Sequence, residues 1–471
     1  MNTRELILDT LLTLEQGEEY SNVLIKAVLD KYDYLEAGQK AFIKRVTEGT
    51  LERRTELDYY LDHYADLPVK KMRPLIRCLM RMSVYQILYM DSVPDSAVCD
   101  EACKLAGKRG FRNLKGFVNG VLRRIVREKA SLPLPDRKED PKGYLSVKYS
   151  MPEWLVEMWS REYGGEITLR MLEALLEVHP VSLRFSTLMP ESEREKLCAG
   201  MRERGIGLRQ SPYLPYVYYA EHTEGLADGE EFLQGACMVQ DVSSALAVEA
   251  AGIERHDFVM DICAAPGGKS ILAAEKAREG SVLARDISEE KLALIEENKA
   301  RMGARNLRAE VFDGTETDEG LAGKADVVLL DVPCSGLGVI GKKRDIKYRA
   351  DRGRFAGLEE LQRQIVRASA GYVKPGGTLL YSTCTIQRGE NEGMVRYIAR
   401  DLGFEPVSLE NVLPEAVLEQ KNRFLEDLRR VGKEPDADLT EEERNACIQL
   451  LPGYMESDGF FLAKFRRRIE A

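Results

Sequence analysis

Histidine is scarce in this chain, with four residues in 471, and the nine cysteines (78, 99, 103, 198, 237, 263, 334, 384 and 447) are odd in number and scattered. No two of them form a C-x-x-C pair and no histidine is spaced to join them, which argues against a zinc site; no metal is expected. The set gives no disulfide framework either. In a reducing compartment such cysteines are small buried apolar residues until a local motif says otherwise. Uninterrupted apolar runs of the about 18 residues that a membrane span needs are absent, and the N-terminus, MNTRELILDT, has acids where a secretory signal needs a basic start. The expectation is a cytoplasmic protein with no membrane contact.

What is present is a globular composition, 44% apolar, 31% charged and 7% aromatic, too apolar to remain disordered. At roughly 150 residues per domain, the length predicts about three domains. The net charge of -10 argues against a polyanionic partner only if charge is evenly spread, and it is not. Nine basic residues lie between Lys104 and Lys129 against one acid, Glu128, and seven between Gly341 and Arg354 against Asp345 and Asp351. Opposite charge collects in Glu405–Arg444, with twelve acids and six bases. Local basic segments suit contact with phosphates; solvated helix faces are the alternative.

Residues 1–130 read as helical, because apolar positions recur at threes and fours (Ile7, Leu11, Leu14) and form a stripe at Phe117, Val118, Val121, Leu122, Ile125 and Val126. SLPLPDRKEDPKG, residues 131–143, has no periodic apolar face and reads as a linker. Residues 144–235 form a mixed middle domain with helical patterns and one strand-like run, VSLRF, to which no chemistry attaches. From residue 236 to 471, short apolar runs (FVMDI, SVLAR, LRAEV, DVVLL, TLLYS) alternate with helical stretches. That alternation predicts an α/β domain, a Rossmann-like parallel sheet covered by helices on both faces. Ligands of such sheets bind at the carboxyl ends of the strands, so the residues after each run are the ones to read.

The first of these turns is Asp261-Ile-Cys-Ala-Ala-Pro-Gly-Gly-Lys-Ser270. Its small residues let backbone N–H groups approach a phosphate or a carboxylate at a helix start. A nucleotide-triphosphate loop would need glycine at position 263, which is cysteine, and the dinucleotide fingerprint G-x-G-x-x-G is absent. Asp286, at the end of the next run, stands where a ribose-hydroxyl acceptor would, or caps the following helix, a role for which Ser288 competes. Cys334, in Asp331-Val-Pro-Cys-Ser335, and Cys384, in Tyr381-Ser-Thr-Cys-Thr385, each follow an apolar strand. With no histidine near either, a Cys-His hydrolase is poorly supported.

Methylation at C5 of a pyrimidine does need such a thiol. That carbon is too weak a nucleophile until a thiolate adds at C6 and makes C5 carbanion-like, able to attack the methyl sulfonium of S-adenosylmethionine. A carboxyl group such as Asp331 at N3 or the exocyclic amine would stabilise the charge that builds in the ring. The helix expected directly after Cys384 would lower its pKa if its N-terminus faced the thiol. The chemistry alone leaves open which of the two cysteines attacks.

DICAAPGGKS, Asp286, Phe312-Asp313-Gly314, DVPCSGLGVI and YSTCT, in this order, resemble the Sun family of RNA cytosine-C5 methyltransferases. The likeness extends to VQDVSSALA upstream and to Asp458-Gly-Phe-Phe461 downstream, while Phe117-Val-Asn-Gly-Val-Leu-Arg123 is similar to the antitermination factor NusB. A NusB-like domain joined to a Sun-type domain is the arrangement of bacterial enzymes that methylate small-subunit (16S) ribosomal RNA. The resemblance implies S-adenosylmethionine as cofactor, with Cys263, Ala264, Ala265, Pro266, Gly267, Gly268 and Lys269 around its methionine moiety. It implies Asp286 at the ribose, Asp313 at the adenine, and Asp331 facing both cofactor and base. It further implies Cys384 as nucleophile and Cys334 as the group that assists product release, with Lys269 either touching substrate or facing solvent.

One departure is Arg388-Gly-Glu-Asn-Glu392 where the family has Pro-Glu-Glu-Asn-Glu, so the following helix start is expected to differ in shape. The stretch 405–444 is read as an acidic surface insertion facing away from RNA. The chain is expected to act as a monomer. A tRNA or large-subunit rRNA target, and a non-catalytic RNA-binding assembly factor, are the competing readings.

Overall fold

A computed structural model describes residues 2–17, 20–177, 180–434 and 438–469. The chain divides into two compact units, Met1–Leu176 with Lys342–Arg349, and Glu177–Gly341 with Ala350–Ala471.

The first unit is helical. The helix Pro74–Tyr89 is buried along its length (Ile76, Leu79, Met80, Met82, Val84, Ile87), and its polar residues are satisfied in place. Arg81 pairs with Asp58 and Glu15, and Ser83 donates back to the carbonyl of Leu79. The stripe Val118, Val121, Leu122 and Ile125 of the helix Lys115–Glu128 joins this core, leaving Arg112, Lys115, Arg123 and Arg127 exposed. The proline-rich stretch 131–143 lies inside this unit, which continues through the helices Pro141–Lys148, Glu153–Tyr163 and Gly165–Leu176.

Lys342–Arg349 belongs to the first unit through buried polar contacts. Asp345 accepts from the backbone N and the hydroxyl of Ser21 (3.0 and 2.7 Å), Arg344 pairs with Glu48 and Glu52 (3.0 Å each), and Lys347 donates to the Glu52 carbonyl (2.8 Å). Much of the second basic segment is therefore engaged internally. This outcome follows from partners hundreds of residues away in sequence, which a local charge count cannot register.

The second unit carries twelve strands among the described residues: β1 (Val181–Phe185), β2 (Gly207–Gln210), β3 (Val217–Glu221), β4 (Cys237–Val239), β5 (Phe258–Ile262), β6 (Ser281–Asp286), β7 (Leu307–Val311), β8 (Ala325–Asp331), β9 (Val373–Thr383), β10 (Glu405–Pro406), β11 (Cys447–Leu450) and β12 (Phe460–Arg466). β1–β4 make an antiparallel sheet in the order β2-β3-β1-β4. The large sheet runs β10-β12-β9-β8-β5-β6-β7, with β11 paired to β12. β5–β9 are parallel to one another and β12 is antiparallel to β9, which is the Rossmann-like α/β architecture expected from the alternating runs.

Side chains alternate across the strands. Val259, Val327, Leu329, Leu380 and Leu462 face the helices Val242–Ala251 and Gly268–Lys276, while Met260, Ile262, Val328, Leu330, Leu379 and Tyr381 face Ile365 and Val366 of the helix Arg352–Ala370. Both faces being covered explains why these strands read as unbroken apolar runs.

The acidic stretch contains an amphipathic helix, Glu415–Arg430, rather than a loop: Val417, Phe424 and Leu428, spaced by seven and four, are buried, and Asp427 accepts from the hydroxyl of Tyr454. Residues 435–437 of the stretch lie outside the described residues. Among the described residues no helix is long and apolar enough to cross a membrane, and no cluster of His, Cys, Asp and Glu is grouped to hold a metal ion.

Candidate active site

The carboxyl ends of β5, β6, β7, β8 and β9 carry every site residue named from the sequence. After β5, Cys263 turns the chain with a positive φ of 64° and Gly267 turns it again at 95°. A Cβ at Gly267 would lie 3.3 Å from Ile295 and one at Gly268 would lie 3.3 Å from the Gln240 amide, so close packing favours glycine at both positions, as does the positive φ at Gly267. The turn is tied to β6: Ala264 N–H donates to the Arg285 carbonyl and Ala265 N–H to the Asp286 carboxylate, both at 2.9 Å. Pro266 is exposed, and its carbonyl accepts from Asn298. Beneath the turn, fully buried Asp261 accepts from the Ser270 hydroxyl, and burial pushes its carboxyl up to about 7.

Asp286 is 3% exposed, and its second oxygen accepts from Ile287 N–H (2.8 Å) and pairs with Lys291 (2.9 Å). The cap of the helix Glu289–Met302 is Ser288, which leaves Asp286 with no capping role. Asp313, beyond β7, is exposed and accepts from Thr315 N–H and hydroxyl, bonds that hold its carboxyl below the usual range. A glycine-lined turn opening a helix, with acidic groups after the next two strands, fits a ligand with a carboxylate, ribose hydroxyls and an amino-bearing base.

At the ends of β8 and β9 the acid and both thiols converge. Asp331 accepts from Lys269 (2.5 Å) and from the Ser382 hydroxyl (3.0 Å). Burial lowers the Lys269 ammonium, but Asp331 outweighs it and the group sits above its ordinary value. Lys269 also donates to Ser244 (3.0 Å) and lies 5.6 Å from the Phe460 ring centre. It is thus engaged within the site, and the upstream VQDVSSALA and downstream DGFF motifs both reach it. Cys334 and Cys384 approach to 3.2 Å between sulfurs, both partly exposed. The hydrogen bond with Cys384, together with burial, pushes the Cys334 thiol well up, whereas Cys263 is pushed up to about 12 by burial.

The loops bearing the two thiols are locked together by residues that sequence reasoning had not assigned. Gly338 N–H donates to the Cys384 carbonyl (3.0 Å) and Gly459 N–H to the Gly338 carbonyl (2.9 Å); a Cβ at Gly338 would fall 1.8 Å from the Gly459 oxygen. Fully buried Glu390 accepts from Ser335 N–H (2.9 Å), the Ser335 hydroxyl and Gln362 (2.8 Å). Fully buried Asn391 accepts from Thr383 and donates to the Thr385 carbonyl. These are two of the three residues that the Arg388–Glu392 segment shares with the family pattern, Glu392 being the third. The helix expected right after Cys384 begins only at Glu392, because Thr385–Asn391 is used for these cross-links and no helix N-terminus directly follows the thiol.

Residues 250–466 match the family described as 16S rRNA methyltransferase RsmB/F, and residues 1–127 match the NusB family. Over 99% of both chains, the sequence is 35% identical to the probable ribosomal RNA small subunit methyltransferase B of Bacillus subtilis. The chain belongs to the RsmB/F methyltransferase family. A further relative, the ribosomal RNA small subunit methyltransferase B of Klebsiella pneumoniae, is 30% identical across 97% of this chain and 95% of its own. In fold, the crystal structure of PH0851 is similar over 99% of both chains with a TM-score of 0.78 at 22% identity. A methyltransferase homolog protein from Pyrococcus horikoshii is similar over 69% of this chain and 97% of its own, with a TM-score of 0.56 at 25% identity. The RsmB/F match spans β5–β12 and so includes β5–β9, the strands that carry the site.

Proposed function

We propose that this RsmB/F family member methylates C5 of one cytosine in 16S ribosomal RNA through a transient bond from Cys384 to C6 of the base. The observation that carries the reading is the 3.2 Å approach of Cys384 to Cys334 beside the Lys269–Asp331 ion pair. S-adenosylmethionine supplies the methyl group as a sulfonium electrophile when bound. The residues for it are Cys263–Lys269 for the methionine moiety, Asp286 for the ribose hydroxyls, Asp313 for the adenine, and Asp331 towards the reacting base.

Cys384 adds as thiolate to C6, and the electron pair of the C5–C6 double bond moves to C5, which takes the methyl group. Asp331 accepts from the exocyclic amine, and Lys269 orients it; a charged partner 2.5 Å away is what supports this role. Loss of the C5 proton then breaks the sulfur–C6 bond and restores the ring, a release that Cys334 assists. The partner is ribosomal RNA, met in the cytoplasm by a monomer, and the exposed arginines of the helix Lys115–Glu128 supply phosphate contacts.

Cys384→Ala is expected to abolish methyl transfer to 16S rRNA while S-adenosylmethionine binding, read by isothermal titration, stays within about twofold. Wild-type turnover by that variant would overturn the thiol assignment. Cys334→Ala is expected to accumulate a covalent protein–RNA band on a denaturing gel. Bisulfite sequencing of RNA from cells with and without the gene names the cytosine, and a signal lost from tRNA or large-subunit rRNA instead would move the target.

A further inference from the structure

The neighbourhoods of the nine cysteines differ. Cys198 and Cys237 are buried in the core of the small sheet, the Cys78 sulfur faces Glu15, the Cys103 sulfur lies 3.7 Å from the Lys115 carbonyl, and the Cys447 sulfur lies 3.8 Å from that of Arg444. Cys334 and Cys384 instead face each other, and both are partly exposed. β8 and β9 are parallel neighbours with Asp331 opposite Ser382; adjacent strands run about 4.8 Å apart, inside the roughly 4.4–6.8 Å Cα separation that a disulfide tolerates. Cys334 follows Asp331 by three residues and Cys384 follows Ser382 by two, so the two thiols leave adjacent strand ends. Closing 3.2 Å to a bond length of about 2.05 Å asks for roughly 1 Å of movement, which loops just beyond strand ends can supply by side-chain rotation.

We propose that Cys334 and Cys384 form an oxidation site at which a peroxide converts the two thiols into an intramolecular disulfide. The Cys384 thiolate attacks one peroxide oxygen, the O–O bond breaks, and the sulfur becomes a sulfenic acid while the other oxygen leaves as water. The Cys334 sulfur then attacks the sulfenic sulfur; the S–S bond forms and the hydroxyl departs as a second water, carrying the remaining thiol proton. Two thiols and one hydrogen peroxide give one disulfide and two waters, with two electrons passing from sulfur to oxygen. The disulfide stands on the sulfur geometry alone. Its consequence, that methyl transfer stops until a dithiol reduces the bond, rests on the thiol roles proposed above.

The full-length protein, treated with hydrogen peroxide and digested with trypsin without reduction, reports directly. Residues 325–342 and 368–388 are tryptic peptides with one cysteine each, and their cross-linked mass is the expected product. Titratable thiols should fall from nine to seven, and 16S rRNA methylation should drop by at least tenfold and return with dithiothreitol. In Cys334→Ser, peroxide should carry Cys384 on to the sulfinic acid, adding 32 Da that dithiothreitol does not remove. Absence of the cross-linked peptide in the wild type, whatever the activity does, overturns the proposal. A cross-link with undiminished methylation upholds the disulfide and overturns the thiol mechanism instead.

Discussion

The mechanism proposed for this site needs two sulfurs held together, and one residue that ties down the loop after the first of them carries no sulfur. Glu390 is fully buried, and burial pushes its carboxyl up, against hydrogen bonds from Ser335 that favour the charged form. With Ser335 N–H and hydroxyl both bound to it, the backbone immediately after Cys334 has one position. Glu390→Gln turns an amide N–H towards one of these donors, and kcat for methyl transfer is expected to fall about tenfold while S-adenosylmethionine affinity holds. Glu390→Ala leaves Ser335 N–H unpartnered and takes one of the acceptors of the Gln362 amide, the Pro333 carbonyl remaining, and is expected to destabilise the second unit by about 1–3 kcal/mol as well. An unchanged kcat for Glu390→Gln, measured in single turnovers, would remove Glu390 from the positioning role. The two thiols were legible in the sequence because each follows an apolar strand and a strand end is a fixed place. Glu390 was not, because a glutamate six residues past Cys384 looks like surface until the fold shows what covers it.

Among the elements, four of the five parallel strands were readable to within one residue at each end, FVMDI being β5 and LRAEV β7, while β9 begins five residues before the run TLLYS. Burial on both faces makes such strands apolar without interruption, a pattern that survives in a single sequence. Charge patterns were less transferable. The two basic segments look alike as counts, yet Arg344 and Lys347 turn into the helical unit while Arg112, Arg123 and Arg127 stay exposed. Replacing Arg112, Arg123 and Arg127 together with Gln is therefore expected to weaken 16S rRNA binding and flatten the log K against log salt plot. Each lost phosphate contact should remove about 0.7 from the slope. The S-adenosylmethionine titration should not move. A parallel set of salt plots for variant and wild type would mean that these three arginines do not meet RNA.

At the scale of the whole chain, the least readable feature is that Lys342–Arg349, eight residues beyond Cys334 in sequence, belongs to the helical unit. No periodicity announces this, since the contacts are single polar side chains meeting partners about 300 residues earlier. Lys347 makes it testable by titration. The residue is 1% exposed, its ammonium donates to the Glu52 carbonyl, and burial lowers its pKa from 10.5 to about 7. Between those two values the folded unit binds fewer protons than the unfolded chain, so stability rises with pH across that window and is lost as pH falls towards 7. Lys347→Met keeps the volume and deletes the titration. The variant is expected to melt higher than wild type at pH 6, by an amount equivalent to about 1–3 kcal/mol. The gap should narrow through pH 8 and further by pH 10, closing only above 10.5, where the wild-type amine is neutral in both states. Melts followed by circular dichroism at these three values decide it: a gap that stays constant would show that Lys347 keeps its proton in the folded unit, and that its neighbours, Glu52 foremost, hold it as an ion pair.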